Sequence, residues 1–189
     1  APMAGLAHMP YDFPGAEGRK VATDTAIVRA VMARLRDDDA DVRQAAAHAL
    51  GRMRHPMAID ALVAAVSDSS SDVSRAALHA LGNFERSRVP VAPFRRALTH
   101  ADPEIRSHAV HMLGELRDRG SIPAISRMLA DVHDDVRSAA MQSLMELEAP
   151  IGDDVLQRAF EDRSEEMRQM AASYAGDRQL VSAVPHLVR

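Results

Sequence analysis

Four arginines, Arg96, Arg127, Arg158 and Arg189, recur at a spacing of 31 residues. At that period they would form a stripe of guanidinium groups, each able to fork onto a carboxylate or a phosphate. Arg95 widens the stripe, and Ala64 at the preceding equivalent position confines it to the C-terminal half. Nine histidines raise a second possibility, a metal centre. His48, His79 and His111 share one recurring position, continued by Gln142 and Ser173. Neighbouring helices sit about 10 Å apart, whereas each ligand of one ion must come within about 2 Å of it, so such a row cannot close on a metal. His108 and His111 stand three apart and could share an ion, but no further ligand is evident. No metal and no cofactor is expected.

Other chemistries find little support. Without cysteine there is no disulfide, no thiolate ligand and no thiol nucleophile. The phosphate-cradling G-x-x-x-x-G-K-[ST], the dinucleotide G-x-G-x-x-G and the nucleophile elbow G-x-S-x-G are missing. Serine, histidine and aspartate occur, but nothing in their order singles out a triad. The net charge is −4, which argues against the basic footprint of non-specific nucleic-acid binding. No apolar run approaches the roughly 20 residues needed to span a bilayer. A cytoplasmic location is the expectation. The chain does not begin with Met, and an exported mature form stays open.

The elements that would position the arginines follow from a repeat. DVRQAAAHALGRM (41–53) returns as DVSRAALHALGNF (72–84). Val42 is followed by Val73, Ile105, Val136 and Met167, in steps of 31, 32, 31 and 31 residues. Leu50, Leu81, Leu113 and Leu144 keep the same step, as do Gly51, Gly82, Gly114 and Gly176, with Met145 the departure. A fixed period of this size is the mark of a stacked array. Apolar residues at 42, 46, 49, 50 and 53 have helical spacing, and the acidic residue before each suits a helix N-terminus. A second helix follows a turn, with Pro56, Pro90, Pro123 and Pro185 near its start. Its core positions are Leu62, Phe94, Ile125, Leu156 and Leu187, then Val66, Leu98, Leu129 and Phe160. Val31 and Leu35 fit the same two positions, so residues 24–36 read as a second helix without a first. Neither helix can bury its stripe alone, and each pair completes the next.

The pattern D-V-R-x-A-A-x-x-A-L-G, with its proline-started second helix, resembles the short bacterial HEAT repeat, also called phycobilisome-lyase-type, over roughly residues 37–189. The resemblance implies an all-α, right-handed α-α superhelix of about five helical hairpins, with second helices lining the concave face. It implies a protein-binding scaffold, or a subunit resembling phycobilin lyases. Relatives that hydroxylate lysine carry His-Glu dipeptides, and this chain has none. DNA-glycosylase relatives need aromatic residues and a basic groove, yet only 3% of this chain is aromatic, with no Trp.

In this architecture each groove arginine lies two residues past a core position, roughly 200° round the helix and away from the core. The candidate partner-binding residues are Arg95, Arg96, Arg127, Arg158 and Arg189, and the expected partner is a protein, either an acidic segment or the rest of a larger complex. A solvated face neutralised by Asp131, Glu161 and Asp162 is the alternative. The recurring Asp37, Asp68, Asp131 and Asp162, with His100 in the gap, and Arg43, Arg106, Arg137 and Arg168, with Ser74 in the gap, are expected to bridge neighbouring repeats. Residues 1–22, rich in Pro and Gly, read as an irregular arm or linker before a repeat domain over 23–189.

Overall fold

A computed structural model describes residues 25–177. The expected N-terminal arm, the last apolar helix with Leu187, and Arg189 lie outside the described residues. The described chain is an all-α solenoid. Its first helices are α2 (Ala40–Met53), α4 (Ser71–Gly82), α6 (Pro103–Glu115), α8 (Asp134–Glu146) and α10 (Glu165–Asp177). The shorter second helices are α1 (Thr25–Arg34), α3 (Ile59–Ala65), α5 (Ala92–Ala97), α7 (Ile122–Met128) and α9 (Asp153–Phe160). α1 is thus a second helix preceding the first complete hairpin. No strand occurs among the described residues.

Local chemistry sets the helix ends. Asp39 and Asp102 accept hydrogen bonds from the Asp41 and Glu104 amides, capping α2 and α6, and Pro103 opens α6 where its missing N–H costs nothing. After α2, α6 and α8 the chain turns through a left-handed residue: Arg54 (φ 50°), Arg117 (φ 55°) and Glu148 (φ 53°). The Asp118 and Ala149 amides reach back to the Leu113 and Leu144 carbonyls and close two of these ends as Schellman turns. α4 ends differently, with Asn83 in the right-handed region. Here the 32-residue step falls, because residues up to Gly82 keep the 31-residue register and residues from Phe94 are shifted by one. Short 3-10 turns, Pro56–Ala58, Arg86–Arg88 and Arg119–Ser121, lead towards α3, α5 and α7.

Each second helix drives one large side chain into the stack. Leu62, Phe94 and Ile125 have no exposed surface and Leu156 has 2%. Full burial of one such side chain contributes about 1.5–3 kcal/mol. The core is continuous along the array, as no single hairpin could supply it alone. In α1 the buried residue is Val28, one turn earlier than Val31, which is only half-buried.

The first helices do not approach one another equally. A Cβ added to Gly51 would lie 2.8 Å from the Ala80 Cα, so α2 and α4 are nearly in backbone contact. Gly114 meets Ser143 in the same way, 2.8 Å from its Oγ, across α6 and α8. At the alternate junctions the facing residue is large. Gly82 faces the Met112 sulfur at 3.2 Å, and Tyr174 stands at that position in α10. Tyr174 is buried, accepts from the Ile151 amide at 2.9 Å and donates to the Ala149 carbonyl at 3.1 Å. The stack therefore alternates close and wide first-helix spacings.

Candidate functional site

The Arg–Asp rows are rungs between successive repeats. Arg43 donates through Nε and Nη2 to the two oxygens of Asp68, both at 2.9 Å. Arg106 grips Asp131 identically, both at 2.8 Å, and Arg137 grips Asp162 at 2.8 and 2.7 Å. Each arginine also reaches back by Nη1 to carbonyls of its own preceding loop, at Asp37, His100 and Asp131 respectively. The aspartates in turn shape the turn that leads into the next helix, taking the amides of Ser70, His133 and Ser164. These carboxyls are held below the usual range. Hydrogen bonds from Arg43 and Arg137 dominate for Asp68 and Asp162, while for Asp131 burial, the largest influence, pushes upward and is outweighed by Arg106 and the His133 amide together.

One rung is missing, and both its ends are replaced together. Ser74 stands where the arginine of α4 would be, and His100 stands where the facing aspartate would be. Ser74 keeps only the backward bond, to the Asp68 carbonyl at 3.2 Å. Arg75 substitutes across this junction, contacting Asp102 at 3.2 Å and Glu104 at 3.1 Å from a partly exposed position.

The proposed arginine row lies on the second helices. Arg96, Arg127 and Arg158 are all exposed, on α5, α7 and α9. Among the described residues Arg96 and Arg127 make no ion pair, and Arg158 has a loose one to Asp154 at 3.3 Å. Arg189 lies outside the described residues. Arg95 points along the stack, with Nε and Nη2 on Asp118 at 2.8 and 2.7 Å and Nε also on the Ser121 hydroxyl at 3.0 Å. Its charge is matched within the chain.

Between α7 and α9 the second-helix side opens a groove of about 820 Å³. Arg127 and Arg158 stand on its walls, and Leu129, Val132, Val155 and Met167 supply apolar lining. Val132 is 74% exposed. The carboxylates able to neutralise these arginines, Asp131 and Asp162, are turned into the rungs and claimed by Arg106 and Arg137. Glu161 is the one carboxylate of the lining that no arginine holds among the described residues.

The histidines divide. His48 and His79 are exposed and His111 is half-exposed, in the expected row on the first helices. His108 departs from the sequence-based picture. It stacks its ring on His79, with centroids 4.1 Å apart, between α4 and α6. Among the described residues no three His, Asp or Glu side chains converge as a metal set.

A profile for HEAT repeats matches residues 28–92 and 86–145. No curated protein matches the sequence. Among solved structures, an engineered protein is similar at 19% identity, over 77% of this chain and 78% of its own, with a TM-score of 0.61. A designed armadillo repeat protein in complex with the peptide (KR)4 is similar at 18% identity, over 76% and 78%, with a TM-score of 0.57. The archaeal HEAT-like repeats protein from Thermococcus onnurineus NA1 is similar at 16% identity, over 78% and 69%, with a TM-score of 0.51. At such identities the likeness is one of fold.

Proposed function

The chain belongs to the HEAT-repeat family, and from that premise we propose that it is a non-catalytic protein-interaction scaffold whose second-helix face holds an acidic segment of a partner. One observation carries the reading. The rungs remove Asp131 and Asp162 from the groove, so Arg127 and Arg158 face solvent with only Glu161 and the exposed Asp154 to offset them. A partner carboxylate entering there meets an open guanidinium fork, and its neighbouring apolar side chains find Val132, Val155 and Met167. Arg96, about one repeat further along, extends the same face. Arg95 contributes little, because Asp118 already occupies it.

The test uses a short fluorescein-labelled peptide of alternating glutamate and leucine, followed by anisotropy at physiological salt. Changing Arg96, Arg127 and Arg158 together to Glu is expected to weaken binding more than about tenfold, a loss of over 1.4 kcal/mol. These side chains are exposed, so the melting temperature should stay within the small range of surface substitutions. An affinity unchanged by the triple substitution refutes the groove.

A further inference from the structure

The second-helix face carries its groove twice. Between α1 and α3, three repeats before the groove of α7 and α9, a second one of about 450 Å³ opens in the same register. Ala33 and Ala64 stand there in place of Arg127 and Arg158, and Ser67 in place of Glu161. Its walls are apolar, formed by Met32, Leu35, Ala61 and the two alanines. The one carboxylate of the lining, Asp68, is held in the rung by Arg43. Two cations remain on the rim. Arg29, one turn before Ala33, and Arg36 are both exposed and make no ion pair among the described residues. Small apolar walls beneath two unopposed guanidinium groups suit bulky apolar side chains that have carboxylates beside them.

The chain carries such a segment immediately before α1. Residues 8–18 read HMPYDFPGAEG. Aromatic side chains make up only 3% of the sequence, yet Tyr11 and Phe13 flank Asp12 here, with Glu17 close behind. Each ring can bury about 150–250 Å². Pro10 and Pro14 favour an extended backbone around them, so docking costs less conformational freedom. The reach is sufficient. Residues 14–24 span at most about 36–40 Å when extended, and α1 is about 15 Å long. The segment can therefore turn back along α1 and meet both arginines.

We propose that residues 11–17 of the chain fold back into the groove between α1 and α3. Tyr11 and Phe13 lie on Met32 and the alanines, and Asp12 and Glu17 face Arg29 and Arg36. So seated, the arm covers the apolar end of the second-helix face. It leaves the end with Arg96, Arg127 and Arg158 open to a partner. The seat stands apart from the acidic-segment groove, and each can fail without the other.

The first measurement uses the full chain labelled with carbon-13 at the methionine methyls. Met32 lines the groove, and an aromatic ring resting on it displaces its resonance, which Met32→Leu identifies. Tyr11→Ser with Phe13→Ser is expected to move the Met32 resonance and leave that of the fully buried Met141 in place. An unmoved Met32 overturns the proposal. Sedimentation should show the wild type as a monomer. A dimer that dissociates in the double variant would put the arm of a second copy in the groove and overturn the fold-back.

The second measurement follows the anisotropy of a fluorescein-labelled peptide of residues 8–18. It should bind the double variant at least about tenfold more tightly than the wild type, whose own arm competes at the roughly millimolar effective concentration of a short tether. Adding Arg29→Glu and Arg36→Glu to the double variant should weaken the peptide at least about tenfold. Adding the Glu substitutions of Arg96, Arg127 and Arg158 instead should leave its affinity unchanged. All these arginines are exposed, so the fold should tolerate the changes. An affinity that follows Arg96, Arg127 and Arg158, that ignores Arg29 and Arg36, or that is equal in the wild type and the double variant overturns the proposal.

Discussion

The α6–α8 and α4–α6 junctions are built from one repeat and hold together differently. Across α6–α8 the helices close on Gly114 and Ser143, and the Ser143 hydroxyl donates to the Val110 carbonyl at 3.1 Å inside the contact. The Arg106–Asp131 rung ties the loops beside it with both side chains about 10% exposed. Across α4–α6, Met112 replaces the small residue, Ser74 and His100 replace the rung, and the intervening turn carries one residue more. Half-exposed contacts of Arg75 and a pair of stacked imidazoles take their place. Close packing and a bidentate rung accompany each other at α6–α8. Where both are relaxed, the first helices stand further apart.

Removing the rungs should separate the two junctions most sharply. Arg106→Ala leaves Asp131 buried beside the Ala130 turn without its cation, and urea unfolding should show a loss of about 3 kcal/mol. Arg75→Ala, at the open junction, should cost less than about 1 kcal/mol because its ion pairs are solvated. Equal losses would erase the distinction.

Acid titration should pick out the open junction next. The unfolded His108 takes its proton near pH 6.5 and the folded one near 4, so between those values the unfolded state binds more protons. Stability therefore falls as pH drops through that window, by an amount on the order of 2 kcal/mol between neutral pH and pH 4.5. His108→Asn should flatten this slope in pH-dependent melts. The lowered carboxyls of Asp68, Asp131 and Asp162 act lower down. Their contribution is complete above the ordinary carboxylate pKa and is lost as pH falls through their depressed values.

The smallest contrast is a methyl group. Gly51→Ala drives its Cβ against the Ala80 backbone, and overpacking should exceed the gain in helix propensity, for a net loss of about 1 kcal/mol. Gly82→Ala meets only the flexible Met112 thioether and should be neutral or gain up to about 1 kcal/mol. Melting temperatures moving in the same direction would show that the spacings do not alternate.

The array was legible because its cause is local. Leu62, Phe94, Ile125 and Leu156 recur at one step, and burial follows that step directly. The rungs were legible too, as a charge row whose two gaps, Ser74 and His100, belong to the same link. Less was written in the spacing where two repeats decide jointly. Arg95 looked like part of the row, but the 119–121 turn brings Asp118 and Ser121 under it. The left-handed turns at Arg54, Arg117 and Glu148 carry none of the glycine that would announce them. The contact of the His108 ring with His79 joins α4 to α6, and no single repeat encodes it.

The extra residue between α4 and α5 has a mechanical consequence. It falls between two glycine-clamped pairs, α2 with α4 and α6 with α8, while α10 packs on α8 at the wider spacing. Under tension along the stack the α4–α6 junction, which lacks both a glycine contact and a bidentate rung, would yield first, and with it the imidazole pair that crosses it.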